Sequence, residues 1–549
     1  MSKPTDTGTL GNPSLGGFTD EDPIVVHGPV QSGVGIEKAG INELVTGEPA
    51  TGEPATGDPA TGGLAMSEPA GSVAATRGHG PAPGPGGDSA ARARSLDALR
   101  GLFLVVMTLG FTIHGRLFPD WMYHRQFPPP GDFVAVAGLT WRDLAYAAFL
   151  FTMAAALPIT LSRRIAKGET EVSIFIAIIR RFLLLFLFAL LIGHSNTFFI
   201  GYTQVGRLLA LVGFAIMFVA FTRQPQGWDE SRFRLLNRAG WIAAIAFLLL
   251  SPQLYGSTFS PERRDDIIAG LAFAALSGSV IWYVTRNHLN ARLAILAAVV
   301  ALHLGSRSEG WIQQWWWTSP FPWLMRPSSL GLLAVVIPGT IAGDLLMRWM
   351  RTPREQPGTN SWSSFRLLTL TLICTATVPV AVIGLYNRWV LATTQVTAAL
   401  CIAGVVLTFR PRSASERLIR ELFIWGVAWL LLGLLLDPAE DGIRKVPETL
   451  SYFFTVTGLT TMLLVALVVL VDVMRTWRWA SPLIDVGQNP MLAYVLYTVF
   501  LNSLLELIGP LRGVLRGSPG EAMLRSGIMV VIVVLIVQAF TKRRVFWRT

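Results

Sequence analysis

Fourteen apolar runs, most of them as long as a bilayer is thick, dominate this chain. They fall at roughly 98–114, 141–161, 180–195, 205–222, 239–252, 267–285, 291–305, 329–348, 366–385, 389–409, 420–436, 452–472, 489–508 and 525–541. A helix needs about 17–25 mostly apolar residues to cross the hydrocarbon core. The pattern predicts an all-α polytopic membrane protein with about 11–14 transmembrane helices. A membrane β-barrel would instead show short segments of alternating polarity. The fifth and seventh runs are short, and each is read as either a crossing or a re-entrant segment. Composition agrees: 52% of residues are hydrophobic, 15% are charged, and mean hydropathy is +0.49. Soluble domains carry about 25% charged residues.

Charge is distributed unevenly. Residues 1–90 hold three Lys/Arg and eleven Asp/Glu, a net of −8, which leaves +18 on residues 91–549. The first stretch is rich in Gly, Pro and Thr, and from Thr46 it repeats TGEPA, TGEPA, TGDPA. Such a segment buries too little apolar surface to offset its conformational entropy, so a disordered acidic tail is expected over 1–90. It lacks the basic and apolar regions of a signal peptide, and 91–549 is expected to form the membrane domain.

The basic excess sits in short loops. With the N-terminus placed in the cytoplasm, SRRIAKGE, TRNHLNAR, MRWMRTPRE, FRPRSASERLIR and the tail KRRVFWRT all fall on the cytoplasmic side. This alternation predicts a plasma (inner) membrane protein with both termini inside. It makes anionic lipid headgroups the expected partners of the positive charge, and nucleic acid is not expected. The opposite face carries aromatics, notably Trp311, Trp315, Trp316, Trp317 and Trp323. These suit an interfacial belt or, alternatively, a sugar-stacking platform. Cys374 and Cys401 lie inside apolar runs, so neither a disulfide framework nor a metal site is expected.

Few polar residues are placed to do chemistry. Asp97 and Arg100 share one helix face at the mouth of the first run, as an ion pair or as a binding group for an anionic donor. His124 lies in the outer loop WMYHRQFPPPGDF, stiffened by Pro128 to Pro130. Asp143 follows just inside the second run, and an acid there needs a partner or a role. A carboxylate-oriented histidine is the usual general base near neutral pH, so a His124–Asp143 pair is expected. His114, at the end of the first run, competes for that part. Arg207 either snorkels or shares a polar site with Gln204. Asp344 is expected to pair with Arg348 one turn on. Lys445 either binds an acidic ligand or balances Asp437, Glu440 and Asp441. Asn489 before Pro490 is placed to cap a helix. Phosphate-binding loops, zinc-protease helices and serine-nucleophile elbows are absent from the sequence.

These residues fall in a recognisable order. SLDALRGLFLVVM, a loop histidine and GLTWRDLAYAAFLF together resemble the bacterial relatives of heparan-α-glucosaminide N-acetyltransferase, a transmembrane acyltransferase family. GYTQVGRLLAL, GIRKVPETLSYFFTVTGL and SPLIDVGQNPMLAYVL are similar to later segments of that family, so the resemblance runs over about 94–541. It implies transfer of an acyl group, expected to be acetyl, from cytoplasmic acetyl-CoA to an extracytoplasmic sugar amine or hydroxyl. His124 is implied as the catalytic histidine, oriented by Asp143. Asp97, Arg100, Gln204, Arg207, Lys445 and Asn489 are implied on the donor-binding side. Acetyl-CoA enters as a co-substrate, and no tightly bound cofactor is expected.

Three departures stand out. The family places its W-N-G-L-T close after the histidine, whereas here thirteen residues, Arg125 to Ala137, separate His124 from Gly138. The family's asparagine late in the first span is missing from GFTIH. Fourteen runs also exceed the eleven or so spans that the resemblance implies. The rival reading is a multi-span transporter or flippase of a glycan or lipid-linked substrate. The sequence leaves a homo-oligomer open.

Overall fold

The structure is a computed structural model that describes residues 93–113, 117–129, 131–352, 362–508 and 518–548. The tail expected over 1–90, and His114, lie outside the described residues. The long helices, numbered in chain order, begin with α1 (Arg94–Thr112), α2 (Leu144–Ala166), α3 (Glu171–Ser195) and α4 (Gln204–Phe221). Next come α5 (Glu230–Leu250), α6 (Asp266–Thr285), α7 (Leu289–Gly305) and α8 (Leu333–Arg351). They continue with α9 (Ser364–Tyr386), α10 (Val390–Leu407), α11 (Ala414–Leu436) and α12 (Leu450–Leu467). The last are α13 (Trp477–Gln488), α14 (Pro490–Leu507, with a π-helical middle) and α15 (Pro519–Lys542). No strand occurs among the described residues.

Thirteen helices among the described residues are long and apolar enough to cross a membrane, and α7 adds a shorter apolar one of 17 residues. The protein is therefore an all-α, multi-pass membrane protein. In the spanning window of α12, 89% of residues are buried inside the protein, against 17% in α15. α2, α8 and α12 form the core, while α5, α10 and α15 line the rim and turn apolar side chains to lipid. Small residues bring the core helices together: a Cβ on Gly343 of α8 would run into the Ala155 carbonyl of α2.

Three boundaries differ from the apolar runs. The fifth run is not short, because α5 starts at Glu230, capped by Asp229, which accepts from Arg232 N at 2.9 Å. Charged residues there continue the helix into the interface. α3 starts at Glu171, nine residues before the apolar run, so Arg180 and Arg181 lie inside the helix. The stretch after Val473 is the helix α13, and it packs along α1.

The expected Asp344–Arg348 pair does not form. Asp344 instead accepts from Arg292 Nη1 of α7 at 2.7 Å and from the Trp282 indole of α6 at 2.9 Å. Arg348 lies 3.7 Å from Glu421 with 65% of its side chain exposed. Arg292 is 1% exposed, and a buried cation has the stronger claim on a carboxylate. Removing that cation leaves Asp344 uncompensated, so Arg292→Ala is expected to cost about 3–5 kcal/mol. Thermal melting of the purified protein measures this, and Arg348→Ala should melt within a degree or so of the unaltered protein.

Candidate functional site

His124 and Asp143 meet. The imidazole Nδ1 lies 2.6 Å from Asp143 Oδ1. Asp143 closes the single turn that starts α2, in a capping box with Thr140. Its Oδ2 accepts from the backbone N–H groups of Thr140 at 3.0 Å and Arg125 at 3.1 Å. The carboxylate is fully buried and keeps its charge through these donors. From α12, the Tyr452 hydroxyl donates to the Asp143 carbonyl at 2.9 Å.

The thirteen-residue insert does not displace the histidine, because it folds back on itself. Val134 N donates to Gln126 O at 2.9 Å, and the buried Gln126 amide donates to Val136 O and Gly138 O at 3.0 and 3.3 Å. The Thr140 hydroxyl donates to Tyr123 O at 2.7 Å, which ties the two ends of the loop together.

The second wall of the site comes from the far end of the sequence. Lys445 Nζ stands 3.2 Å from His124 Nδ1 and 3.9 Å from Asp143 Oδ1. Lys445 does not balance Asp437 or Glu440. Asp437 is held by both guanidinium nitrogens of Arg388 at 2.8 and 2.9 Å, and Glu440 by Arg307 at 3.3 Å. Those two pairs staple the loop between α11 and α12. Gln126 joins in by accepting from Lys445 N at 3.3 Å, and Gly138 N donates to Ile443 O at 2.8 Å.

Electrostatics fix the state of the imidazole. Burial, then the Lys445 and Arg142 cations, push the His124 pKa down to about 3, against the opposite pull of Asp143. Burial also lowers the pKa of Lys445, with Asp143 pulling it back. His124 is therefore neutral near pH 7. The 2.6 Å contact assigns the Nδ1 proton to the bond with Asp143. Nε2 then carries a free lone pair and has no hydrogen-bond partner among the described residues, while 27% of the side chain stays exposed. An imidazole in this state can act as a base or as a nucleophile.

A second polar centre lies deeper. Asp97 and Arg100 pair at 3.4 Å, one turn apart on α1, as their spacing suggested. Arg100 also donates to Gly487 O of α13 at 3.1 Å and to Thr152 O of α2 at 3.3 Å. Gly487 must be glycine, since a Cβ there would strike the Asp97 carbonyl. Thr152 is nine residues beyond Asp143, so the centre lies roughly 13 Å along α2 from the histidine. Arg181 of α3 is near enough to Arg100 to feel its charge, and it makes no hydrogen bond or ion pair among the described residues. A guanidinium inside an apolar helix bundle normally has an anion. The sequence signal for it was an arginine pair with apolar residues on both sides, IFIAIIRRFLLLF, which reads equally well as the edge of a span.

The remaining candidates stand apart. Arg207 pairs with Glu506 of α14 at 2.7 Å, and Gln204 lies exposed at the first turn of α4 with no bond to it. Asn489 does not cap α14. Its amide donates to Val545 O at 2.9 Å and accepts from Trp547 N at 3.1 Å, anchoring the C-terminal segment. Trp547, 1% exposed, fills a cage of Phe188, Phe214 and Phe218. Trp316 is buried against His303, while Trp311, Trp315 and Trp317 remain exposed.

Comparison with known proteins adds a domain and no activity. Residues 92–346, which hold His124, Asp143, Asp97, Arg100 and Arg181, match a domain of unknown function, DUF5009. No curated protein matches the chain.

Proposed function

We propose that this protein is a membrane-embedded acyltransferase. It moves an acyl group, acetyl in the simplest case, from cytoplasmic acyl-CoA to an extracytoplasmic sugar amine or hydroxyl. The observation that carries the reading is the 2.6 Å bond between His124 and a wholly buried Asp143, which leaves Nε2 free. Both termini lie in the cytoplasm of a plasma (inner) membrane protein, so His124 opens outward and the Arg100 centre lies on the donor side.

A thioester is already activated, so the protein has to supply position, a base and charge stabilisation. Nε2 takes the proton of the acceptor N–H or O–H as that heteroatom bonds to the thioester carbonyl carbon. The C–S bond then breaks, and the leaving thiolate takes the proton back from the imidazolium. Asp143 holds the ring and balances its transient charge, and the Lys445 cation at the Nδ1 edge keeps the resting imidazole neutral. Arg100 and Arg181 meet donor phosphates. A long, flexible arm between phosphate and thioester suits the roughly 13 Å between the two centres.

Acetyl-CoA is the probe for this reading. Added to the purified protein at 100 times its dissociation constant, it is expected to stabilise the fold by about 2.7 kcal/mol. Arg181→Leu is expected to weaken binding about tenfold or more, the scale of a lost charge-assisted bond. The absence of both a thermal shift and thioester consumption would discard acyl transfer in favour of transport.

A further inference from the structure

A second charged site lies far from His124 in sequence and in contacts, where α9 begins and α10 runs into α11. A cavity of about 410 Å³ opens there, lined by Trp362, Arg366, Phe409, Arg410 and Arg412 among others. Arg366 forms its floor. Its guanidinium lies over the Trp362 ring at 4.6 Å and donates to Leu407 O at 2.6 Å and Phe409 O at 2.7 Å, closing the end of α10. Arg410 stacks on Phe409 at 5.2 Å. The guanidinium groups of Arg410 and Arg412 make no hydrogen bond or ion pair among the described residues.

Among the described residues, no carboxylate pairs with Arg410 or Arg412. Glu416, 1% exposed, accepts from the backbone N–H groups of Trp362, Arg412 and Ser413 at 2.9, 2.7 and 3.2 Å. Among the described residues, Glu416 binds these backbone groups and pairs with none of the Arg366, Arg410 and Arg412 guanidiniums. A further donor is left over: Trp362 is 4% exposed, and its indole N–H is buried with no partner among the described residues. A buried N–H without an acceptor is costly, so it points to a missing oxygen.

The surroundings say what brings that oxygen. Beside the cavity, on the same helix ends, Phe365, Ile402, Val406 and Phe409 are 80%, 66%, 66% and 56% exposed. These side chains are what acyl chains would cover. Basic pockets between spans, at the depth of the headgroups, suit anionic lipids.

We propose that this cavity binds the phosphate headgroup of an anionic phospholipid drawn from the surrounding bilayer. Arg410 and Arg412 clamp the phosphate, the Trp362 N–H donates to one of its oxygens or to the glycerol, and the acyl chains run down the apolar rim. The site is independent of the acyl-transfer reading and stands or falls separately.

The test uses full-length protein in an uncharged detergent and follows the melting midpoint with three additions. Phosphatidylglycerol is expected to raise the midpoint, whereas phosphatidylcholine and inorganic phosphate leave it unchanged. Arg410→Gln combined with Arg412→Gln is expected to remove most of the rise without moving the lipid-free midpoint. Trp362→Phe keeps the ring under Arg366 and is expected to raise the half-maximal phosphatidylglycerol concentration about fivefold. A full rise in the double variant, or an unchanged response in Trp362→Phe, overturns the site. An equal rise with phosphatidylcholine removes the charge recognition, and an equal rise with inorganic phosphate makes the ligand a soluble anion instead of a lipid.

Discussion

His124→Ala is expected to abolish acyl transfer, by at least about 10³-fold, while the protein still inserts and melts normally. The polar partners of the side chain are Asp143 and Lys445, and 27% of it is exposed, so its loss breaks two polar contacts at the edge of the protein and none in the helix core. What goes is the Nε2 lone pair that takes the acceptor proton in the proposed mechanism. The readout is acetyl transfer from acetyl-CoA by purified enzyme, with melting as the control for folding. Asp143→Asn should fall less far, by about 10²-fold, because the amide still holds the ring but no longer offsets its transient positive charge. His114→Ala separates the two histidines and should keep most of the activity. Normal turnover by His124→Ala would end the assignment.

That prediction uses a contact which the sequence could suggest but not measure. His124 and Asp143 are 19 residues apart, on one side of the membrane by any consistent topology, and so they could be paired in advance. The apolar runs were legible for the same local reason: each span must satisfy its own backbone, so its length shows in the sequence. Contacts between helices were not legible. Lys445 reaches His124 across 321 residues, Arg100 reaches the Gly487 carbonyl across 387, and Arg292 takes Asp344 from its helical neighbour Arg348. Which spans touch depends on small residues that let backbones approach, and a linear reading does not say which two stripes will meet. The insert after His124 misled for a related reason. Thirteen extra residues looked like distance, but the Gln126 amide closes them into a loop that returns Gly138 to the site.

Lys445→Met is expected to move the acid limb of the pH–rate profile upward by about one to three units. As the proposed general base, His124 works only when unprotonated. In the unaltered protein its pKa is held at about 3, so kcat/KM should stay high as pH falls through the ordinary histidine range and drop only near that value. Burial is the larger cause, and methionine preserves it. The Lys445 charge, at 3.2 Å, is the next, and it is the one that the substitution removes. Two unit charges at about 4 Å interact by ~1 kcal/mol in water and ~4 kcal/mol at the effective dielectric of a protein surface, and 1.36 kcal/mol is one pKa unit. With that cation gone, Asp143 is opposed only by burial and Arg142 and favours the imidazolium more strongly, so activity is lost at a higher pH. Arg142→Met should shift the limb in the same direction but less, since its charge ranks after that of Lys445. The effect must appear in the pH profile as well as in the rate at pH 7. A merely structural lysine would lower the rate at every pH and leave the limb where it was, and that result would remove Lys445 from the electrostatics of the site.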